Sequence, residues 1–374
     1  MTVPAERAGA VLTVDLAAIV ENWRRLGARL GKAACAAVVK ADAYGLGAGA
    51  VAGALSAAGC ADFFVAHVDE GIDLRAAFGA ASRRIFVLNG TPAGTEADFV
   101  AAGLIPVVNT LGQLAGWRAH ARAVGSRLPV ALQVDSGMSR LGLPAADVAA
   151  LAAGPSAFEG LSVVLVMSHL ACADEPAHPA NAMQRDAFRR LSAMLPAAPA
   201  SLANSSGIFL GEAYHGDLAR PGAALYGINP TPLQPNPMLP AVALAARVIQ
   251  VRDVPAGTGV GYGHMAKAAG PARLATISLG YADGWPRNAA ADAFLDGARL
   301  PFIGRVSMDS IILDATACPR PPREGDMVQL IGPGQTVDAV AHAAGTIGYE
   351  ILTRLGTRFH RRYVGSPTSS LPGG

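Results

Sequence analysis

The sequence is poor in charged and aromatic residues and contains no long uninterrupted apolar run. Of its 374 residues, 16% are charged, 6% are aromatic and 51% are hydrophobic. A membrane-spanning helix needs about 18 consecutive apolar residues or more, so this composition predicts a soluble globular protein without membrane contact. The formal net charge of +2 includes no basic cluster longer than 358–362, which excludes the charge pattern of a nucleic-acid binder. We therefore expect small-molecule partners.

Cysteine is also scarce, and the cysteines present show no paired spacing. They are Cys35, Cys60, Cys172 and Cys318. The absence of a CxxC pair argues against a disulfide framework and against a zinc site, so no metal is expected. The N-terminal apolar stretch is interrupted by Glu6 and Asp15, unlike a secretory signal. A reducing cytoplasm is the expected location.

Short apolar runs alternate with alanine-rich segments from about residue 15 to residue 228, and at this chain length two domains are expected. The eight runs are CAAVV (35–39), FFVA (63–66), RIFVL (84–88), IPVV (105–108), VALQV (130–134), SVVLVM (162–167), SLA (201–203) and ALYGI (224–228). Strand candidates separated by helical segments are typical of a (β/α)8 TIM-type barrel. A doubly wound parallel sheet is the alternative that the pattern leaves open.

A proline-rich segment at 229–240 separates this region from a differently patterned second part. Its five prolines lack the N–H that a helix or a central strand needs. The runs that follow have strand spacing, with one helical patch near 337–344. We therefore predict a barrel domain over 1–235, a mostly β domain over 236–364 and a disordered tail over 365–374.

Unusual polar residues lie next to the predicted strands of the barrel, all after a strand except Arg220, which precedes the last one. They are Lys40, Arg140, His169, Asn204, Ser205 and Arg220. Catalytic groups of such barrels cluster at the C-terminal ends of the strands. Burial of a lysine amine at this place can lower its pKa, and the neutral amine is a nucleophile that forms Schiff bases. Taken alone, Lys40 would be explained as a surface lysine at a strand end.

The glycines after Lys40 give a weak phosphate signal. Gly45, Gly47, Gly49 and Gly53 can open a helix whose N-terminal amides hold phosphate, but a turn explains them equally well. No GK[ST] follows them and GxGxxG spacing is missing, so neither a P-loop nor a dinucleotide fingerprint is present.

Several stretches, in order along nearly the whole chain, together resemble the alanine racemase family. They are VVKADAYGLG (38–47), VDSGMSRLG (134–142), SHLACADE (168–175), ANSSG (203–207), ARPGAALYG (219–227), VGYGHM (260–265), GYADGW (280–285), GRVSMD (304–309) and TIGYE (346–350). The resemblance implies a cofactor-bearing barrel followed by a β domain, in agreement with the organisation above. It also implies an enzyme that interconverts L-alanine and D-alanine.

The resemblance implies pyridoxal 5'-phosphate as the cofactor. Lys40 would hold it as a Schiff base, and Arg220 would face its pyridine nitrogen. The residues expected around its phosphate are Tyr44, Ser205, Gly222, Ala223 and Tyr349, with Asn204 close by. A guanidinium keeps its protons, so the cofactor would be a weaker electron sink than one that faces a carboxylate.

The same resemblance implies a two-base mechanism in a homodimer. Lys40 and Tyr262 would serve the two faces of the planar intermediate, and His169 and Arg220 would stand behind the tyrosine. Tyr262 and Met308 would reach into the partner's barrel. Arg140 and the amide of Met308 would bind the substrate carboxylate, and Tyr262 and Tyr349 would wall a small pocket. The residues expected along an access corridor are Asp174, Tyr281, Arg287 and Arg305.

Two departures from the family pattern concern the site. Many members carry a carbamylated lysine where this chain has Gln133, which leaves the orientation of Arg140 open. Some members carry a histidine where this chain has Ser201, and this difference affects how far Tyr262 is acidified.

Three alternatives stay open at this point. A racemase for another small amino acid, such as serine, would use the same motifs. A barrel-type decarboxylase is disfavoured because it places a carboxylate where this chain has Arg220, and a carrier of pyridoxal phosphate because it lacks a β domain. Supply of D-alanine for the cell wall and alanine catabolism use the same reaction, so the motifs do not separate them.

Overall fold

The computed structural model describes residues 3–79, 81–154 and 156–365, which divide into two units. We call the first the barrel unit; it comprises Ile19–Leu225 and Asn229–Leu239. We call the second the β unit; it comprises 3–18, 226–228 and 240–365.

The elements up to residue 219 alternate between short strands and helices. The strands are β1 (Ala10–Asp15), β2 (Ala34–Cys35), β3 (Ala37–Val38), β4 (Asp62–Val65), β5 (Arg84–Val87), β6 (Leu104–Val108), β7 (Leu128–Gln133), β8 (Leu161–Met167), β9 (Ala200–Ser201) and β10 (Leu218–Ala219). The helices are α1 (Leu16–Arg29), α2 (Ala48–Ala57), α3 (Val68–Phe78), α4 (Glu96–Ala101), α5 (Leu111–Val124), α6 (Ala145–Ala153) and α7 (Ala180–Ser192). A separate one-turn segment, Lys40–Gly45, follows β3.

Parallel strands form the centre of the barrel unit. Strands β3 to β9 pair in chain order, each parallel to the next. Every residue of β4 and of β6 is buried, as expected for strands that are covered on both faces. The rings of Phe64 and Phe86 stack on neighbouring strands with centroids 4.7 Å apart. The apolar runs therefore form strands because both of their faces lie in the core.

The ring of strands closes at a different place from the one predicted. The run ALYGI was expected to be the last strand, but Ala223–Tyr226 is a 3-10 turn. Closure comes instead from β10, which pairs parallel with β2, while the amide of Arg220 donates to Ala203 at 2.9 Å. Pro221 has no N–H to continue the ladder. The (β/α)8-type barrel is confirmed, and the doubly wound alternative is wrong.

The β unit is built on one mixed sheet. Its further strands are β11 (Val242–Val254), β12 (Gly259–Val260), β13 (Ala266–Lys267), β14 (Ala272–Ile277), β15 (Asp292–Leu295), β16 (Ala298–Pro301), β17 (Ile311–Asp314), β18 (Met327–Ile331) and β19 (His360–Val364). The helices are α8 (Val337–Ala344) and α9 (Gly348–Arg354). The sheet order is β16-β15-β18-β11-β1-β19, with β14 on β11 and β17 on β14. The predicted mostly β second domain and its helical patch are confirmed.

The predicted domain boundaries differ from the structure at the N-terminus. Residues 3–18 belong to the β unit and not to the barrel, because β1 pairs antiparallel with β11 and parallel with β19. The predicted connector packs with the barrel unit, where Asn22 bonds Leu239 through both its amide nitrogen and its amide oxygen. Apart from Gly365, the predicted disordered tail lies outside the described residues. Among the helices that are described, none has the length and apolar character needed to cross a membrane.

Candidate active site

Lys40 stands at the end of β3, at the start of an unusual turn. Ala41, Asp42, Ala43 and Tyr44 all have φ between 52° and 58°, so the turn is left-handed. Each L-residue in this conformation costs roughly 1–2 kcal/mol, and surrounding contacts must hold it. The amide of Ala43 donates to Val39 O at 2.8 Å.

The environment of Lys40 favours a neutral amine. Its pKa is lowered from the ordinary value, first because burial disfavours the ammonium and then because Arg140 is positively charged. The carboxylate of Glu70 acts in the opposite direction. An amine that gives up its proton more easily is a better nucleophile, as the position of Lys40 at a strand end predicted.

The glycine-rich stretch after Lys40 begins a helix but does not leave its first amide free for phosphate. Gly47 has φ of 100° and is the N-cap of α2. The amide of Ala48, the first residue of the helix, donates to Asp42 Oδ1 at 2.7 Å. A carboxylate of the chain itself therefore occupies this helix terminus.

A second group of amides surrounds Ser205. Its Oγ accepts hydrogen bonds from the amides of Gly222 (3.0 Å) and Ala224 (3.2 Å). Between them, the amide of Ala223 has no acceptor in the described part of the chain. A Cβ on Gly222 would lie 2.4 Å from Oη of Tyr44, so the glycine lets the phenol approach. Four predicted phosphate residues thus meet at one place, and Asn204 closes the adjoining turn by accepting from the amide of Gly207 at 2.8 Å.

Arg220 is buried and held by two acceptors. Its Nη1 donates to Ser201 Oγ at 2.5 Å, and its Nη2 donates to Ser168 O at 2.6 Å. Burial lowers the pKa of Arg220 to about 9, so the guanidinium remains charged at neutral pH. Ser201, the position of the second departure, therefore acts as an acceptor for Arg220 and does not leave it unsupported.

His169 lies near three cations but makes no side-chain hydrogen bond with the described residues. Burial first, and then the charges of Arg220, Arg140 and Lys40, lower the pKa of His169 to about 3. The imidazole is therefore neutral at physiological pH. Its backbone is fixed by the buried Gln184, which donates to His169 O at 3.0 Å. Within the described residues, no side-chain hydrogen bond joins His169 to Arg220.

Arg140 lies on a tightly ordered loop and is exposed. Asp135 Oδ1 orders the loop by accepting from the amides of three successive residues, 137–139, at 2.9–3.1 Å. Gln133 is buried, and its side chain makes no hydrogen bond within the part of the chain that is described. Gln133, the first departure from the family pattern, therefore does not anchor the side chain of Arg140. The charge of Arg140 lowers the pKa values of His169 and Lys40.

The β unit brings Tyr262, Tyr281 and Met308 onto neighbouring loops. Tyr262 begins a 3-10 turn and is 70% exposed. It lines a depression of about 500 Å³ that Ser307 also lines. The amide of Tyr281 donates to Ser307 O and that of Ala282 to Met308 O, both at 3.0 Å. The amide of Met308 has no acceptor among the residues described.

Arg358, which the motifs did not single out, connects these two loops. Its Nε contacts the buried Asp283 at 3.0 Å, and its Nη1 contacts Asp309 at 2.7 Å. The two carboxylates belong to the GYADGW and GRVSMD motifs themselves, but neither motif contains the arginine that pairs with them. Only the folded chain reveals Arg358 as the connection.

The remaining predicted residues lie at the surface of their own units. Asp174 is exposed in the barrel unit. In the β unit, Arg287 and Arg305 are exposed and Tyr349, in α9, is 38% exposed. Their predicted functions depend on the assembled site and stay predictions.

Comparison with known proteins identifies the family. The N-terminal domain of alanine racemase matches residues 14–230, and the C-terminal domain of alanine racemase matches residues 241–363. The chain belongs to the alanine racemase family. The resemblance read from the motifs is therefore confirmed, and the decarboxylase and carrier alternatives are not favoured.

Individual alanine racemases are similar over almost the full chain. The catabolic alanine racemase of Mesorhizobium japonicum is 64% identical over 359 residues, which cover 96% of this chain and 94% of that protein. The catabolic alanine racemase of Agrobacterium fabrum is 51% identical, with 94% and 92% covered. A crystal structure of the Bartonella henselae alanine racemase with covalently bound pyridoxal phosphate has a TM-score of 0.91 and 42% identity, and covers 96% of this chain and 100% of that one.

Proposed function

We propose that this chain is a pyridoxal-phosphate-dependent racemase that interconverts L-alanine and D-alanine. The observation that carries the proposal is the grouping of the Lys40 amine, the charged Arg220 and the amides around Ser205 on one barrel of this family. The names of the similar proteins favour alanine as the substrate.

The donor set of the barrel fits the cofactor. Lys40 would hold its aldehyde carbon through Nζ, and Arg220 would lie at its ring nitrogen. Its phosphate would be held by Tyr44, Ser205, Gly222 and Ala223; Tyr349, which belongs to the β unit, is the further residue that the family pattern implies. A Cβ at position 222 would fill the space beside the Tyr44 hydroxyl, so this part of the site depends on glycine. When bound, pyridoxal phosphate supplies an electron sink that stabilises negative charge at the substrate Cα.

Two side chains move the proton at Cα. Nζ of Lys40 removes or returns it on one face, and Oη of Tyr262 does so on the other. His169 stays neutral because of its low pKa, so Arg220 supplies the fixed positive charge behind the tyrosine. A protonated guanidinium does not give up a proton to the ring nitrogen, which limits the charge that the ring accepts and favours prompt return of the proton.

The substrate carboxylate would be bound by Arg140 and by the amide of Met308. Arg140 is a fixed cation on an ordered loop, and the Met308 amide has no acceptor among the described residues. Tyr262 and Tyr349 would limit the pocket to a small side chain. Access through a corridor lined by Asp174, Tyr281, Arg287 and Arg305 is the corresponding proposal for entry of the substrate.

We further propose a homodimer in which Tyr262 and Met308 serve the barrel of the partner subunit. The support is their exposure of 70% and 54%, which is high for large side chains that act in catalysis and binding. Ile347, 60% exposed in the same unit, adds apolar surface of the kind that subunit contacts cover. A cytoplasmic location is proposed from the cysteines, which are free thiols.

A chiral assay over alanine, serine and lysine tests the activity. The purified protein should interconvert the alanine enantiomers fastest; a faster reaction with serine would contradict the proposed substrate. Lys40→Ala should abolish the reaction and the visible absorption of the bound cofactor, whereas Lys32→Ala, at an exposed position, should keep both.

Mixed dimers test the shared site. Lys40→Ala and Tyr262→Phe subunits are inactive by themselves, but in a mixed dimer one of the two sites would have both residues intact. Activity should then return to about a quarter of the wild-type value in a statistical mixture of equal amounts. Absence of any recovery would show that Tyr262 acts within its own subunit.

A further inference from the structure

The left-handed turn that presents Lys40 must be held by contacts outside itself. Four consecutive non-glycine residues, Ala41–Tyr44, have positive φ, a conformation that L-residues avoid. The turn carries Lys40 at its start and Tyr44 at its end, so its conformation fixes the spacing between the two. A contact that holds the turn therefore acts on both residues at once.

Glu70 makes such a contact. One oxygen of its carboxylate, Oε1, accepts from the amide of Ala41 at 2.7 Å. The other, Oε2, accepts from the amides of Ala66 at 2.7 Å and His67 at 3.1 Å. The side chain thus joins the first amide of the turn to the residues that follow β4. Hydrogen bonds to an ionised acceptor are stronger than those between neutral groups.

The position of Glu70 explains why one side chain reaches all three amides. It is the third residue of α3, whose N-cap is His67, and a glutamate at this position ordinarily returns to the N-cap amide. Here the other carboxylate oxygen does not take part in that bond. It accepts a hydrogen bond from the amide of Ala41, 29 residues earlier in the chain. The capping motif is local, and its second contact is created by the parallel neighbours β3 and β4.

We propose that Glu70 is a positioning residue, which holds the strained turn between Lys40 and Tyr44 in the form that binds pyridoxal phosphate. The inference rests on the proposed function for the identity of the ligand. The effect of Glu70 on the turn is independent of the proposed function, because the turn exists in the ligand-free protein.

The test compares Glu70→Gln with Glu96→Gln in the ligand-free protein. Glu96 is a matched control because its carboxylate also accepts a backbone amide near a helix start, that of Gly94 at 2.9 Å. A glutamine has one acceptor oxygen and cannot satisfy both sides of the bridge. Hydrogen–deuterium exchange of the amides at 41–44 should accelerate on the order of tenfold in Glu70→Gln only. The dissociation constant for pyridoxal phosphate should rise on the order of tenfold in the same variant.

A glycine rescue separates holding the turn from other functions of Glu70. Glycine adopts positive φ without steric cost, so Ala41→Gly added to Glu70→Gln should restore most of the affinity for pyridoxal phosphate. Slow exchange that persists in Glu70→Gln, or affinity that Ala41→Gly does not restore, would overturn the proposal. The urea midpoints of Glu70→Gln and Glu96→Gln should be similar, since both lose one capping carboxylate.

Two further outcomes are decided by the same variants. If Glu70→Gln does not fold, Ala41→Gly is compared with the double variant Ala41→Gly, Glu70→Gln. A much weaker affinity of the double variant for pyridoxal phosphate contradicts the proposal. If the wild-type protein itself does not bind pyridoxal phosphate, the proposed function fails. The exchange rates at 41–44 then still decide whether Glu70 holds the turn.

Discussion

Arg220 donates a hydrogen bond from Nη1 to Ser201 Oγ at 2.5 Å, and the Ser201 hydroxyl in turn donates to Leu218 O. Both side chains are buried. The serine thus provides the acceptor that a buried guanidinium needs, at the position where some family members have histidine. The contact makes Ser201 a support of the charge at Arg220.

Ser201→Ala should destabilise the protein. The substitution leaves Nη1 of Arg220 without its acceptor, and an unpaired buried donor costs about 1–3 kcal/mol of the free energy of unfolding. Urea denaturation measures this loss. Ser192→Ala, whose hydroxyl donates to the Arg189 carbonyl within α7, should change stability by about 0.5 kcal/mol or less. Equal losses in both variants would show that the Arg220 contact contributes little.

Gly222→Ala should weaken cofactor binding more than it weakens the fold. The added Cβ would lie 2.4 Å from Tyr44 Oη, so the phenol must move away from the phosphate position. We expect the dissociation constant for pyridoxal phosphate to rise on the order of tenfold, as measured by titration of the ligand-free protein. Gly53→Ala is the control because, apart from its own helix backbone, a Cβ there meets no described atom within 4 Å. An unchanged constant in Gly222→Ala would remove this glycine from the proposed phosphate site.

Acid should destabilise the wild-type protein more than His169→Asn. The pKa of His169 is about 3 in the folded protein and about 6.5 when unfolded. The unfolded chain therefore binds the proton first. Stability is complete above pH 6.5 and is lost as pH falls from about 6.5 towards 3. At pH 5 this loss amounts to about 2 kcal/mol.

Urea denaturation at pH 7 and pH 5 measures this difference. Between pH 7 and pH 5, the free energy of unfolding of His169→Asn should fall by about 2 kcal/mol less than that of the wild-type protein. His342→Asn, at an exposed position in α8, should behave as the wild-type protein does. The prediction is wrong if His169→Asn shows the full acid loss.

Tyr262→Phe should block proton transfer on one face only. General acid–base groups contribute roughly 10²–10⁴-fold to rate, so racemisation should fall by that order. In deuterium oxide, one alanine enantiomer should lose its isotope exchange while exchange on the Lys40 side continues. The control is Tyr214→Phe, at a tyrosine of the barrel unit whose ring lies under the Arg185 guanidinium. This variant should leave both exchange reactions intact. Loss of exchange from both enantiomers would contradict separate faces.

The site residues differ in how far the sequence could predict them. Lys40, Arg220, Ser205 and Gly222 stand in motifs near strand ends, and the fold places Gly222 against Ser205 and Tyr44; their function as one site stays a prediction. Glu70 and Arg358 were missed because each acts through partners far away in the chain: Ala41 for the first, Asp283 and Asp309 for the second. The capping position of Glu70 was a readable signal, but its second contact was not.

Apolar runs determined by themselves most of the barrel strands, with ALYGI as an exception, and the motifs and their order determined the family. A strand or a single motif depends on neighbours within a few residues. The tertiary structure alone decided that β10 closes the barrel and that β1 joins the β unit, where Ala10 pairs with Ala246. It also decided that Ser201 and Glu70 hold Arg220 and the Lys40 turn. These contacts join segments distant in sequence, and a pairing of that kind is selected by the burial and hydrogen bonding of the whole fold and not by the local sequence.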